Sequence, residues 1–191
     1  YIGQEGVISG IEMLARDLDC FITGYRCHAH MVTRGEPIIK IFSELLGNSF
    51  GSSKGKGGSM HMFRKENNFF GGHGIVGAQV PIGTGIAFTH KYNNEKNICR
   101  TYIGDGAMNN GQVFEAFNLA ALWKLPVLYI IENNKYGMGT SVDRAAAGLD
   151  LYKRGEAFGI PGEKVDGMNI FKVIDAADRA GKYVREGHGP Y

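Results

Sequence analysis

The sequence predicts an α/β domain with a mainly parallel central sheet flanked by helices. Two observations carry this. Ile98 to Ile103 and Val127 to Ile131 are apolar runs of strand length, and the helical pattern of Gly111 to Trp123 lies between them, so the three form a βαβ unit. The second run shows no polar alternation, which fits a strand buried on both faces. The right-handed crossover expected of such a unit sets the strands parallel, with their carboxyl ends on one edge.

The other elements follow from periodicity. From Gln4 to Leu18, Val7, Ile8, Ile11, Leu14 and Ala15 recur at helical spacing. A second helix is expected from Pro37 to Leu46, with Pro37 in its first turn, Ile38, Ile41, Phe42 and Leu45 facing inward, and Gly47 ending it. Asn48 to Gly77 has little periodicity and a cluster of glycines, a pattern that marks a functional or disordered segment. A last helix is expected from Ile170 to Arg185, with Phe171, Val173, Ile174, Ala177 and Tyr183 among charges. No repeat or linker divides the 191 residues, so one domain is expected.

Composition excludes several classes of function. Twenty-one Lys and Arg nearly balance 19 Asp and Glu, and no run of one sign offers a footprint for nucleic acid or a membrane surface. Cys20, Cys27 and Cys99 have neither the number nor the spacing of a disulfide framework or a zinc cluster. No apolar run approaches the roughly 20 residues that span a bilayer. The chain opens at Tyr1 and closes at Tyr191 with no polar tail, so a piece cut at both ends is expected.

The chemistry gathers at the two strand ends. One strand runs into Gly104-Asp105-Gly106-Ala107 and the other into Glu132-Asn133-Asn134-Lys135-Tyr136-Gly137, which places both loops where open α/β sheets bind ligands. Gly104 and Gly106 admit close approach of a phosphate. Asp105 supplies a carboxylate and Asn134 an amide oxygen; with a backbone carbonyl they make an incomplete oxygen shell of the kind that holds Mg²⁺ beside diphosphate oxygens and water. The helix beginning at Gly111 aims its amino end at the same place.

The Gly-Asp-Gly and Asn-Asn pair, one crossover apart, resemble the thiamine-diphosphate motif. The words Lys54 to His61, Gly72 to Pro81 and Ala120 to Pro126 resemble the alpha subunits of the 2-oxo-acid dehydrogenases, pyruvate dehydrogenase above all, over nearly the whole chain. The resemblance implies a thiamine-diphosphate-binding fold and oxidative decarboxylation of pyruvate, with the acetyl group passed to the lipoyl domain of the dihydrolipoyl acetyltransferase. It implies Mg²⁺ on Asp105, Asn134 and the Tyr136 carbonyl, and diphosphate against Gly104, Gly106, Ala107 and the Tyr25-Arg26 pair, whose guanidinium suits a bidentate grip. Gly74 and Val76 match positions that contact the aminopyrimidine ring, and His61 and His73 match active-site neighbours. Gln4-Glu5 matches the family's first helix near the site. The resemblance also implies a beta subunit in an alpha2-beta2 tetramer, which supplies the Glu that activates the cofactor, and a bacterial cytoplasmic or mitochondrial matrix location. Acetoin and branched-chain 2-oxo-acid dehydrogenases are the alternatives within the class; the Gly77 to Pro81 wording favours pyruvate. Met108, Asn110 and Cys27 depart from the common wording near the site.

Blander readings compete at each point. Asp105 between glycines is by itself a common turn, and Asn134 at the matching strand end is what raises it above that. His28, His30, His61 and His73 lack the i, i+4 spacing of a helical zinc site. Lys54-Gly55-Lys56-Gly57 fails as a phosphate loop, because Phe50 and Gly57 stand where Gly and Ser or Thr are needed. Without the resemblance Tyr25-Arg26 reads first as an ordinary surface pair, and Phe114, Phe117 and Trp123 read as core or interface. A scaffold that kept the fold but lost chemistry would not need the intact Asp105 and Asn134. A Rossmann oxidoreductase is disfavoured because no G-x-G-x-x-G follows the first strand of the βαβ unit.

Overall fold

In the computed structural model, which describes residues 1–191, four strands form a parallel sheet: β1 (Cys20–Gly24), β2 (Phe69–His73), β3 (Cys99–Gly104) and β4 (Val127–Glu132). Their spatial order is β2-β1-β3-β4. The helices are α1 (Glu5–Glu12), α2 (His28–Thr33), α3 (Ile38–Leu45), α4 (Gln79–Tyr92), α5 (Gly111–Leu122), α6 (Val142–Ala145) and α7 (Ile170–Arg185). A small antiparallel pair, β5 (Tyr136–Gly137) and β6 (Thr140–Ser141), follows β4. No helix is long and apolar enough to cross a membrane.

Strand alternation sorts side chains to two faces. Phe21 and Tyr102 join Ile8, Ile11, Val173 and Ala177 of α1 and α7 in one core cluster. Ile103, with Val80, Val113 and Phe117, and Ile22 and Cys99, with Ala87 and Ala120, pack beneath α4 and α5 on the other face. The expected βαβ unit is present: β3 and β4 pair in register from Cys99 opposite Val127 to Gly104 opposite Glu132.

Several expectations change. The strand expected to be buried on both faces lies at the sheet edge, and Tyr129, Ile130 and Ile131 are half-buried along an apolar groove. The edge is met by Tyr191, whose carbonyl accepts the Tyr129 N–H at 2.9 Å. In α3 only Ile41 of the four expected inward residues is buried; Ile38, Phe42 and Leu45 face outward, and the buried partner on that face is the carboxylate of Glu44. Phe171 of α7 faces outward as well. The first helix ends at Glu12, short of Leu18. Seven elements were not expected from the sequence: β1, α2, β2, α4 and the short β5, β6 and α6. In α4 the glycines serve close packing, since a Cβ on Gly83 would lie 2.2 Å from Thr101 Oγ1 on β3.

The amino edge of the sheet is pinned by Asp19, which has no exposed surface. Its carboxylate accepts the Ile98 N–H at 3.0 Å and the Arg16 N–H at 2.9 Å, and pairs with the guanidinium groups of Arg100 and Arg185. One group thus ties the starts of β1 and β3 to the end of α7. Burial works to raise the Asp19 pKa, but the Arg185 hydrogen bond and the Arg100 charge outweigh it and hold the carboxyl below its usual 3.8. Asp19→Asn leaves two guanidinium groups without a counter-charge and is expected to cost about 3–5 kcal/mol in urea unfolding at neutral pH. Because the folded pKa is depressed, this stabilisation is present above pH 3.8 and is lost as pH falls through the folded value, so the variant should lack that acid limb.

Candidate functional site

All four strands end on one edge. From β1 the chain leaves toward β2, and from β3 it leaves toward β4, so the adjacent ends of β1 and β3 border a crevice at the point where the order reverses. Tyr25-Arg26 follows β1 and Gly104-Asp105 closes β3 at this point. Arg26 stacks its guanidinium on the Tyr25 ring, 4.9 Å from the centroid. Its Nη1 lies 4.0 Å from where a Cβ on Gly104 would sit, so the cation borders the glycine-lined turn.

The loops after β3 and β4 meet as closely. A Cβ on Gly106 would sit 3.5 Å from the Cα of Gly137, an ordinary van der Waals contact, so the two loops lie side by side. Asp105 is 2% exposed, and its Oδ2 has no hydrogen-bond partner in the protein. A buried carboxylate oxygen without a donor is costly and is relieved by a cation. Asn133 and Asn134 form successive turns: their Oδ1 atoms accept the Lys135 N–H at 3.1 Å and the Tyr136 N–H at 3.0 Å. The turn fixes the Asn134 amide and leaves its oxygen a second lone pair. One carboxylate, one amide oxygen and backbone carbonyls make a hard-oxygen donor set, which suits Mg²⁺ and not a soft metal. Ala107 is buried beside them in a short 3-10 turn.

The loop after β2 joins the crevice from the other side, since His73 pairs with Gly24. His61 reaches Gly74, where a Cβ would stand 2.9 Å from its Cε1; an alanine there would displace the imidazole. His73 directs Nε2 to the Phe70 carbonyl at 3.1 Å and meets Phe63 edge-on, and burial lowers its pKa. Val76 is half-exposed, and its carbonyl accepts the Asn110 Nδ2–H at 3.1 Å. Asn110, a departure from the common wording, also caps α5 by accepting the Gln112 N–H. The structure therefore gathers Tyr25, Arg26, His61, His73, Gly74, Val76, Gly104, Asp105, Gly106, Ala107, Asn134 and Tyr136 along one edge. Of the four histidines, His28 bonds Ser59 Oγ at 2.9 Å, and His30 is buried among the rings of Tyr1, Phe69 and Tyr102, which pushes its pKa down to about 3.

Two carboxylates were missed in the sequence reading. Glu132 ends β4, is buried, and accepts a hydrogen bond from the Tyr1 hydroxyl. Its signal was a charge closing an otherwise apolar strand. Glu44 carried none, because it stood on a helix whose apolar neighbours were expected to face inward.

Comparison with known proteins places this geometry. The profile described as "Dehydrogenase E1 component" matches residues 1–191. The chain belongs to the dehydrogenase E1 component family. It is 58% identical over 190 residues to the pyruvate dehydrogenase E1 component subunit alpha of Rickettsia conorii, covering all of this chain and 58% of that one. It is 56% identical to the subunits of the same name from Rhizobium meliloti, of which it covers 55%, and from the mitochondria of Dictyostelium discoideum, of which it covers 49%. The chain thus spans about half the length of these relatives. A solved structure described as "a putative thiamin diphosphate-dependent enzyme isolated from Mycobacterium smegmatis" shares the fold, with a TM-score of 0.61 at 19% identity over 97% of this chain and 30% of that one.

Asn110 both caps α5 and holds the Val76 carbonyl. Asn110→Ala should lower stability by about 1 kcal/mol in chemical unfolding, and hydrogen exchange should quicken over Gly74 to Gly77 while β3 stays protected.

Proposed function

We propose that this chain is the cofactor-holding core, a single domain, of the alpha subunit of a pyruvate dehydrogenase, acting on pyruvate with thiamine diphosphate and Mg²⁺ and delivering the acetyl group to a lipoyl domain. The observation that carries the reading is the buried, unpartnered Oδ2 of Asp105 at the β1–β3 crevice, facing a loop that presents Asn134. The high identity to subunits named for pyruvate supports this 2-oxo acid over the acetoin and branched-chain alternatives.

In this reading Asp105, Asn134 and the Tyr136 carbonyl would hold Mg²⁺, whose charge would offset that of the diphosphate. Arg26 answers the remaining negative charge from β1, while Gly104, Gly106 and Ala107 leave room for the phosphate oxygens. Gly74 and Val76 bound the aminopyrimidine side. When bound, thiamine diphosphate supplies the carbanion that adds to the 2-oxo carbon and the electron sink for loss of CO₂. His61 and His73 border the place where substrate would enter and are suited to hold or orient a proton there. The partner beta subunit completes the alpha2-beta2 assembly and the site. The Rickettsia and Rhizobium relatives favour a bacterial cytoplasmic setting, and the Dictyostelium relative a mitochondrial matrix one.

The test is titration calorimetry of thiamine diphosphate with Mg²⁺ into the full-length alpha subunit assembled with its beta partner. Mg²⁺-dependent binding is expected in the wild type and its loss in Asp105→Ala. Equal binding by both proteins would remove Asp105 from the site, and no binding by the assembled wild type would remove the cofactor.

A further inference from the structure

Between α3 and β2 the chain runs through Gly51-Ser52-Ser53-Lys54-Gly55-Lys56-Gly57-Gly58-Ser59 before reaching His61. This stretch has no regular secondary structure to satisfy its amides. The Gly51, Lys54 and Lys56 amides find backbone carbonyls in turns, and four of the others converge on one group. Glu44 in the last turn of α3 has no exposed surface. Its Oε2 accepts the N–H groups of Ser53 and Gly55, each at 2.8 Å, and its Oε1 accepts those of Gly57 at 2.7 Å and Gly58 at 3.0 Å. Four N–H donors on one carboxylate form an anion-holding concavity in which the anion is the protein's own. Burial works to raise the Glu44 pKa, but these bonds outweigh it and hold the carboxyl below the ordinary range.

The wrapping is tight enough to fix the path. A Cβ on Gly51 would stand 2.4 Å from Glu44 Oε2, and one on Gly57 would stand 2.2 Å from the His61 carbonyl oxygen. Gly55 and Gly58 have φ of 74° and 57°, a conformation other residues rarely adopt. Ser53 Oγ donates to the His61 carbonyl at 3.0 Å, and Ser59 Oγ meets His28 at 2.9 Å, two residues beyond Arg26. The segment is therefore clamped at Glu44 on one side and delivers His61 against Gly74 on the other.

We propose that Glu44 is the positioning residue of this segment: its carboxylate sets the path of Gly51 to Ser59 so that His61 sits at the crevice beside Gly74. Glu44 touches neither substrate nor cofactor and acts through the loop. The proposal rests on the reading of the crevice as a decarboxylation site. Glutamine in its place keeps the volume but turns an NH₂ toward donors, so the four-fold clamp cannot close. The segment's side-chain hydrogen bonds go to Glu44, His61 and His28, and its carbonyl at Ser59 meets Cys27; none goes to Arg26, Asp105 or Asn134, so the grip on the diphosphate and its ion should be largely spared.

The test uses the full-length protein in its assembled complex, with Glu44→Gln and, as a second variant that disturbs the loop while keeping the carboxylate, Gly57→Ala. Hydrogen exchange is followed over residues 51–61, thiamine diphosphate affinity by calorimetry with Mg²⁺, and kcat and KM on pyruvate. Exchange over 51–61 is expected to quicken at least about tenfold in Glu44→Gln, with kcat falling about tenfold and the cofactor Kd moving less than about twofold. Gly57→Ala should likewise quicken exchange and lower kcat while leaving the cofactor Kd within about twofold. Unchanged exchange in both variants, faster exchange with unaltered kcat and KM, or cofactor affinity falling in step with kcat would each overturn the proposal. A wild-type complex that binds cofactor but does not turn over pyruvate would defeat the functional reading alone, since exchange over 51–61 still decides whether Glu44 holds the segment.

Discussion

The structure depends first on a buried carboxylate at the edge of the sheet opposite the site. Asp19 satisfies the Ile98 amide at the entry to β3 and binds Arg100 and Arg185, so the register of β1 against β3 and the seat of α7 are fixed together. Taking three charged groups out of water is expensive, and the cluster holds because its oxygens meet two backbone amides as well as two guanidinium groups. With the pairing set at that end, Cys20 lies opposite Cys99 and Ile22 opposite Thr101. The loops after Gly24 and Gly104 then have one place to emerge.

That register makes the crevice. Because the connections from β1 and β3 depart in opposite directions, no crossover covers the gap between their ends, and backbone approaches it freely at Gly104 and Gly106. Into this gap the sequence puts one cation, Arg26, and one carboxylate oxygen with no donor, that of Asp105. The arrangement is stable alone only at a cost, which a bound divalent ion and a diphosphate would offset. A second buried carboxylate, Glu44, shows the opposite solution: its charge is satisfied entirely from within, and what it secures is the course of a loop.

The part of this organisation legible in the sequence was the part governed by local pattern. The β3–α5–β4 unit announced itself through two apolar runs and a helical stretch, and Gly104 to Ala107 and Asn133 to Tyr136 could be placed at strand ends on that basis. The rest was decided by tertiary contacts. α4 carries Pro81, Gly83 and Gly85, which read as breakers; Gly83 is there because the helix presses on Thr101. β2 contains Gly71 and Gly72, where a Cβ would strike Phe63 and Cys27, so its glycines disguised a strand as loop. α3 was foreseen as a helix over nearly its observed range, but its apolar residues were assigned to the core. Ile38, Phe42 and Leu45 remain outside, and the group that enters is Glu44. Nothing in a single sequence distinguishes a carboxylate that seeks water from one that will collect four amides. Arg26 was singled out through family resemblance, and its place beside Gly104 became a physical statement only with the fold.

The central claim is that the crevice at the ends of β1 and β3 holds a divalent ion on Asp105 and Asn134. The most direct measurement is crystallography of the full-length assembled protein grown with thiamine diphosphate and Mn²⁺ in place of Mg²⁺, with anomalous scattering used to locate the metal. The account predicts one strong anomalous peak within coordination distance of Asp105 Oδ2, the Asn134 side-chain oxygen and the Tyr136 carbonyl, with Arg26 on the diphosphate. A peak elsewhere, with Asp105 still unpartnered, would contradict it.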